Sequence, residues 1–419
     1  MDQSSPGSMA VNRTYSSQYS GNAGNGFGFG WLSAFGDKRL YVKSPMVLVE
    51  RPGGKSETFT CPSGGTCNGA SDAPFTLTKD STGYTLARRD GGQERYYSNG
   101  TLFQEFDSGG RSTSYGYDNL NRVATVTDPF GHKLTFGYNA GNRVATVTDP
   151  AGKIIYYDYD DTFPTPVSAT PAGNLTRVRY PDGTAKLYHY NEPNLTSGAN
   201  LPHHLTGISY ATVNADGSLS NVTRFSSYEY YYNSSNAADP HNGKALRTEH
   251  AQTDNVGPQE KFTLAYNSDT QTTITDPVNV KEVITFAVNL GVKNLALKVN
   301  QSDLKSLQQA FDPNNNLTCQ KDEEGRVVTY SYNATNQRES LTEGLAGDCS
   351  NLPASASVTS VTRAITYTYK DPTLDLPRFL RRPSVAAGKI FETEIQYNDA
   401  GHPHLPTDII QRGFTPTNT

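Results

Sequence analysis

The sequence predicts an all-β fold in which tandem β-hairpins join into one long, curled sheet. Three observations support this. Asn121 to Pro129 and Asn142 to Pro150 both read Asn-Arg-Val-Ala-Thr-Val-Thr-Asp-Pro, 21 residues apart. Around them Gly110, Gly131, Gly152 and Gly173 keep the same spacing, as do Tyr117, Tyr138, Tyr159 and Tyr180. Finally, apolar and polar residues alternate between these markers. A short fixed period means one supersecondary unit is repeated and stacked, each copy relying on its neighbours for a core.

Within a unit the strand is read from its alternation. Leu134, Phe136 and Tyr138 interleave with Lys133, Thr135 and Gly137. Ile155, Tyr157 and Tyr159 fill the same slots, and Val328, Tyr330 and Tyr332 fill them far downstream. Period 2 places one set on each face of a strand.

Two joints complete the hairpin. Asp128-Pro-Phe-Gly131 and Asp149-Pro-Ala-Gly152 carry the preferences of a type I turn, and Thr170-Pro-Ala-Gly173 keeps three of the four. The other joint follows Tyr. Its fourth residue after Tyr117, Tyr138, Tyr332 and Tyr397 is Asn121, Asn142, Asn336 and Gly401, types that tolerate positive φ.

Composition agrees with a folded β protein. Mean hydropathy is low at −0.61, but 26 Tyr and 17 Phe supply buriable area that disordered chains lack. A net charge of −5 leaves no basic footprint for nucleic acid. No apolar run approaches the ~18 residues of a membrane-spanning helix. The start, Met1 to Ser8, lacks the basic and apolar parts of a signal peptide and reads like a start inside a longer frame.

Chemistry is sparse. Cys61 and Cys67 are spaced for a small disulfide loop in an oxidising compartment, or remain free; Cys319 and Cys349 are left unpaired by sequence alone. Zinc would need closer Cys spacing and nearby His. His203-His204 and His402-Pro-His404 are read as solvated loop histidines. Asp128, Asp149, Asp276 and Asp312 each precede Pro, so turn-capping accounts for them better than acid–base work. Gly24 to Trp31 lacks the Gly-Lys-Ser/Thr of a phosphate loop and is read as close β packing around Phe27, Phe29 and Trp31. Tyr117, Tyr138, Tyr159 and Tyr332 are read as a stacking core rather than a sugar- or partner-binding face. No catalytic, cofactor-binding or metal residue is assigned, no cofactor is expected, and the chain is expected not to be an enzyme.

The Tyr-Asp-x-x-Asn-Arg-Val then Asp-Pro-x-Gly pattern of Tyr117 to Gly131 resembles the YD or RHS repeat, with Asn121-Arg122-Val123 in place of Gly-Arg-Leu. Asn12 to Ser17, Gly26 to Trp31, Arg39-Leu40 and Tyr84 to Tyr97 resemble the segment that opens such repeat regions. On this resemblance the chain divides into a disordered start 1–11, an opening β segment 12–100, regular repeats 101–190, an inserted Tyr- and Asn-rich β segment 191–260, degenerate repeats 261–401 and a tail 402–419. Residues 299–311, with Leu304, Leu307 and Phe311, read equally as a short helix or a degenerate strand pair, and 344–361 as a loop.

The resemblance implies part of a spiral shell: a non-enzymatic scaffold or encapsulating segment of a bacterial polymorphic toxin, here an incomplete shell without the toxin tip. The alternative is a cell-surface adhesion or carbohydrate-binding protein. Implied partners are a C-terminal toxin cargo or further repeats encoded elsewhere, or a cell-surface carbohydrate or protein. Nucleic acid and a transmembrane span are not expected. The implied location is secreted or cell-surface, reached by a specialised secretion system. Nothing after Ala400 matches the family's self-cleaving Asp motif, so self-cleavage is not implied.

Overall fold

The structure is a computed structural model. It describes residues 9–416 except 20–25, 34, 36–37, 52–55, 71–72, 161–172, 251–259, 346, 350–362 and 372–373. Two small sheets come first. β1 (Arg13–Tyr15) pairs with β2 (Trp31–Ser33), and β3 (Arg39–Lys43), β4 (Met46–Glu50) and β5 (Ser56–Thr60) form a three-stranded meander.

Among the described residues, the strands from Gly65 onward form one antiparallel sheet of 27 strands, each paired with its neighbours in sequence. It opens with β6 (Gly65–Thr66), β7 (Phe75–Lys79), β8 (Gly83–Arg88), β9 (Gln93–Tyr97) and β10 (Leu102–Phe106). The regular units follow: β11 (Ser112–Tyr117), β12 (Val123–Thr127), β13 (Lys133–Tyr138), β14 (Val144–Thr148), β15 (Ile154–Tyr159), β16 (Leu175–Arg179) and β17 (Thr184–Tyr190). Longer strands come next: β18 (Leu205–Val213), β19 (Leu219–Tyr230), β20 (Ala245–His250), β21 (Glu260–Ser268), β22 (Gln271–Thr275), β23 (Lys281–Asn289) and β24 (Val292–Asn300). The rest are β25 (Ser306–Phe311), β26 (Leu317–Lys321), β27 (Val327–Tyr332), β28 (Arg338–Leu345), β29 (Arg363–Asp371), β30 (Leu374–Pro383), β31 (Lys389–Gln396) and β32 (Asp408–Pro416). The sheet is open: among the described residues no register joins β32 to β6.

The predicted alternation is realised in the first half. Leu134 and Phe136, and Ile155, Tyr157 and Tyr159, are buried, whereas Lys133 and Thr135 face solvent. In β27 the pattern differs. Val328, Tyr330 and Tyr332 are only half-buried, and Val327 on the opposite face packs with Cys319 and Leu345. The 299–311 ambiguity resolves to strand: β24 and β25 flank a turn whose Leu304 is exposed with φ 59°.

Both joints take their expected shape. Asn121, Asn142 and Asn336 have φ of 60°, 61° and 62°. Gly401 does not share it, because the connection from Tyr397 to β32 is a longer loop. At the Asp joints the carboxylate caps the turn. Asp128 Oδ1 accepts from the backbone N–H of Phe130 and His132, Asp149 Oδ1 from that of Lys153, and Asp276 Oδ1 from those of Val278 and Val280. Asp312 does the same with Asn314 and Asn316, although it follows β25 on the other edge.

The 21-residue beat misleads at its fourth step. Gly173 lies in the Tyr-type joint, where Asp160 Oδ1 accepts from Gly173 N and Asn174 N, in the same way that Asn139 Oδ1 accepts from Arg143 N. Tyr180 opens an Asp-type turn closed by Gly183 N→Tyr180 O. Extra residues after Asp160 shift the phase, and Thr170 to Ala172, expected in a turn of the other kind, lie outside the described residues.

Three domain boundaries read differently in the structure. Of the start 1–11, residues 1–8 lie outside the described residues and Val11 is fully buried in the core. The inserted segment 191–260 continues the same sheet through β18–β20. The tail 402–419 contains β32. The segment 344–361 lies mostly outside the described residues, but Cys349 is described and bonded to Cys319; Cys61 is bonded to Cys67.

Candidate functional site

Three features could act on something outside the sheet: the tyrosine ladder, the N-terminal segment packed on it, and the seam where the sheet meets itself.

The ladder arises where each hairpin ends. The β13–β14 register skips a residue between Gly137 and Tyr138, a β-bulge, and the β14–β15 register starts only at Thr146. The Val144 carbonyl is therefore beyond the strand ladder on that side, and the Tyr159 hydroxyl donates to it at 2.8 Å. The same reach of 15 residues joins Tyr117 to Leu102 O, Tyr138 to Val123 O, Tyr190 to Leu175 O and Tyr332 to Leu317 O. Longer connections preserve it for Tyr230, Tyr266, Tyr369 and Tyr397. A buried carbonyl without a donor is costly, so each hydroxyl completes its neighbour's hairpin. Burial raises the hydroxyl of Tyr138 to about 12.

The N-terminal segment covers this face from β7 to β19. Phe27 meets Tyr157 edge-on, Phe35 meets Phe136, and Trp31 meets Tyr188 while donating its Nε1–H to Tyr190 Oη. Arg13 lies over the Trp31 ring at 4.5 Å. Gly28 (φ 86°) could not carry a side chain, since a Cβ would stand 2.5 Å from Gly173 O. Gly26 to Trp31 are thus closely packed, as expected; Gly24 and Asn25 lie outside the described residues. His203 and His204 are a correction: they are half-buried rather than free in a loop. His203 stacks on Phe29 with ring centroids 3.7 Å apart, and His204 meets Tyr230 edge-on. Burial holds both below the usual imidazole range. His402 is exposed and bonded to Asp399.

Beneath β3–β5 lies a buried charge network that the sequence did not reveal. Glu94, 2% exposed, pairs with Arg51 at 2.6 Å and accepts from Tyr96 Oη at 2.5 Å, with Lys38 at 3.7 Å. Burial pushes the Glu94 carboxyl up, but Arg51, Lys38 and the Tyr96 hydrogen bond outweigh it and hold it below the usual range.

The seam joins the two edges of the sheet. Asp375 N donates to Arg89 O at 2.7 Å, and Arg89 Nη1 donates to Thr335 O at 2.8 Å. Gly91 lies so close to His404 that a Cβ would be 2.5 Å from its ring. The β8–β9 turn lies on one edge, whereas the β27–β28, β29–β30 and β31–β32 turns lie on the other. The sheet therefore winds like a lock washer. One circuit takes β9 through β27, and at ~4.8 Å per strand its length is roughly 90 Å.

Among the described residues no cluster of three potential metal ligands occurs, and no helix is long and apolar enough to cross a membrane. The geometry defines a coiled β-hairpin repeat array. The RHS Repeat family model matches residues 96–133, 120–154 and 311–346, so these segments carry RHS repeats. No curated protein matches it in sequence. Similar solved structures include a TcdB2–TccC3 complex (13% identity over 85% of this chain and 20% of that one, TM-score 0.35). A Photorhabdus luminescens Tc holotoxin pore matches at 12% identity over 87% and 21%, TM-score 0.36. A porin-like protein from Bacteroides uniformis matches at 11% identity over 70% and 89%, TM-score 0.14. The chain spans about a fifth of the length of the Tc toxin chains it matches.

Proposed function

We propose that this chain is a non-enzymatic wall segment of a bacterial, exported toxin-type shell, which encloses a polypeptide cargo. The observation that carries this reading is the seam. A sheet whose turns dock edge to edge after one circuit makes a continuous wall with an inside, and Arg89, Thr335 and Asp375 hold that wall together. The N-terminal segment fills the inside of the first circuit and so acts as a stopper at one end. The hydroxyls of the tyrosine ladder are turned onto backbone carbonyls, which supports a role in building the wall rather than presenting a binding face.

The test is protection. A protease-sensitive, unstructured reporter fused after Thr419 is expected to be cut more slowly than the same reporter added in trans. Arg89→Ala, which removes the contact with Thr335, should restore fast cutting while the strands stay folded by circular dichroism. Equal cutting of fused and free reporter would refute the enclosing role.

A further inference from the structure

We infer that the cavity between the N-terminal segment and the Tyr joints of β11–β14 is a binding site for a small organic anion with an apolar ring system. This goes beyond the shell reading and does not depend on it.

The cavity has a volume of ≈ 440 Å³, within the range of small-molecule sites. Its walls are the rings of Phe27, Phe35, Phe136, Tyr117 and Tyr138. The two tyrosine hydroxyls are already donated to Leu102 O and Val123 O, so these residues offer a ligand their ring surface. Such walls favour a flat apolar body over a polyhydroxylated sugar, which would need several free hydrogen-bonding partners.

Charge sets the other half of the specificity. Three cations line the cavity: Lys38, Arg39 and Arg122. Lys38 is matched by Glu105 at 2.5 Å, and Arg122 by Asp118 at 2.6 Å. Arg39 has no carboxylate partner among the described residues; its guanidinium carbon is 6.0 Å from the Tyr41 ring, and its charge acts on the Tyr117 hydroxyl. Its position is fixed by the backbone. Leu40 N donates to Gly100 O at 2.9 Å, and Arg39 bridges to Thr101, another lining residue. The site therefore combines one unmatched guanidinium with aromatic walls, and carboxylate, sulfonate or phosphate groups match that cation.

A second cavity provides an internal control. It has a volume of ≈ 500 Å³ and lies beside Tyr188, Tyr210 and Tyr228. Its cations are engaged: Arg13 donates to Tyr188 Oη, and Lys186 lies over the Tyr180 and Tyr210 rings.

The test is a fluorescence titration of the full chain with 8-anilinonaphthalene-1-sulfonate and with neutral N-phenyl-1-naphthylamine. The sulfonate should saturate one site and bind about tenfold tighter than the neutral probe. Arg39→Gln should erase that preference, Arg39→Lys should retain part of it, and Lys186→Gln should leave it unchanged. Leu120→Glu, at the exposed rim, should weaken the sulfonate alone, which keeps the test valid if Arg39→Gln folds poorly. The inference is overturned by equal affinity for both probes, or by loss of sulfonate binding in Lys186→Gln. Parent-like sulfonate binding by a folded Arg39→Gln, or by Leu120→Glu, overturns it as well.

Discussion

Replacing Tyr159 separates the two things a ladder tyrosine does. Its ring is fully buried, and its hydroxyl donates to Val144 O at 2.8 Å and to Gly26 O at 3.1 Å. Tyr159→Ala removes a large aromatic from a packed core, at a cost of about 3–5 kcal/mol. Tyr159→Phe keeps the ring. Gly26 O retains Val144 N as a donor, but Val144 O loses the ladder hydroxyl, at a cost of about 1–2 kcal/mol. Hydrogen exchange read by peptide mass converts these values at tenfold per 1.4 kcal/mol. The Ala variant should exchange about a hundred to a few thousand times faster in β14–β16, and the Phe variant roughly ten times faster. The loss should extend to residues 26–33, which the hydroxyl also holds, and to the next hairpin, because repeats are stabilised by their interfaces. It should leave β29–β32 unchanged. Parent-like exchange across β14–β16 and residues 26–33 in the Phe variant would refute the hydroxyl's role. A uniform loss reaching β31 would refute the neighbour-by-neighbour account of stability.

Asn142→Val should lower the melting temperature well beyond Asn142→Gly, because φ of 61° is strained for a β-branched residue; equal melts would defeat the turn assignment. Gly still costs something, since Asn142 Oδ1 accepts from Arg122. The Cys319–Cys349 bridge spans 30 residues, and its removal by Cys→Ser at both positions should cost about 3.5 kcal/mol in denaturant titrations by loop entropy. The Cys61–Cys67 loop, spanning 6, should cost less, and a reversed order would refute the estimate. Glu94 is held below its unfolded value, so its contribution is present at neutral pH and lost as pH falls through the folded value, beneath the usual ~4.3. Melts from pH 7 to pH 3 should therefore fall less steeply for Glu94→Gln than for the parent, and parallel curves would show that the pair contributes nothing.

The hairpins were legible because their determinants are local. Alternation sets the faces, Asp and Gly set one joint, and Asn142 sets the other. Where spacing alone was used, an insertion defeated it: Gly173 and Tyr180 keep the 21-residue beat, yet Tyr190, 15 residues after Leu175, is the ladder tyrosine. The hydroxyl–carbonyl bonds themselves could have been suspected from that reach of 15. The seam could not, because Arg89 and Thr335 are 246 residues apart and their neighbours carry no shared pattern. His203 and His204 were misread for a related reason. A polar pair after Pro202 looks like loop, and only distant partners, Phe29 for His203 and Tyr230 for His204, half-bury it.

The two halves of the sheet differ in burial for one physical reason. From β7 to β19 a second layer, the described residues between 11 and 60, lies on the tyrosine face, and Leu77, Leu86, Leu134 and Leu175 are at most 1% exposed. In β22 and β25 every residue is half-buried, although Ile274, Leu307 and Phe311 are as apolar as their counterparts upstream. Sequence pattern alone therefore does not decide burial here; the reach of the N-terminal segment does. Hydrophobic stabilisation scales with area removed from water, so the second half gains less per strand. Its strands offset part of that by length, since β21, β23, β24 and β30 run to nine residues or more and the regular units to five to seven. A covalent staple, Cys319–Cys349, then stands where the second layer is missing. The covered half is thus held by packing, and the uncovered half by longer ladders, a disulfide and its seam with the first circuit.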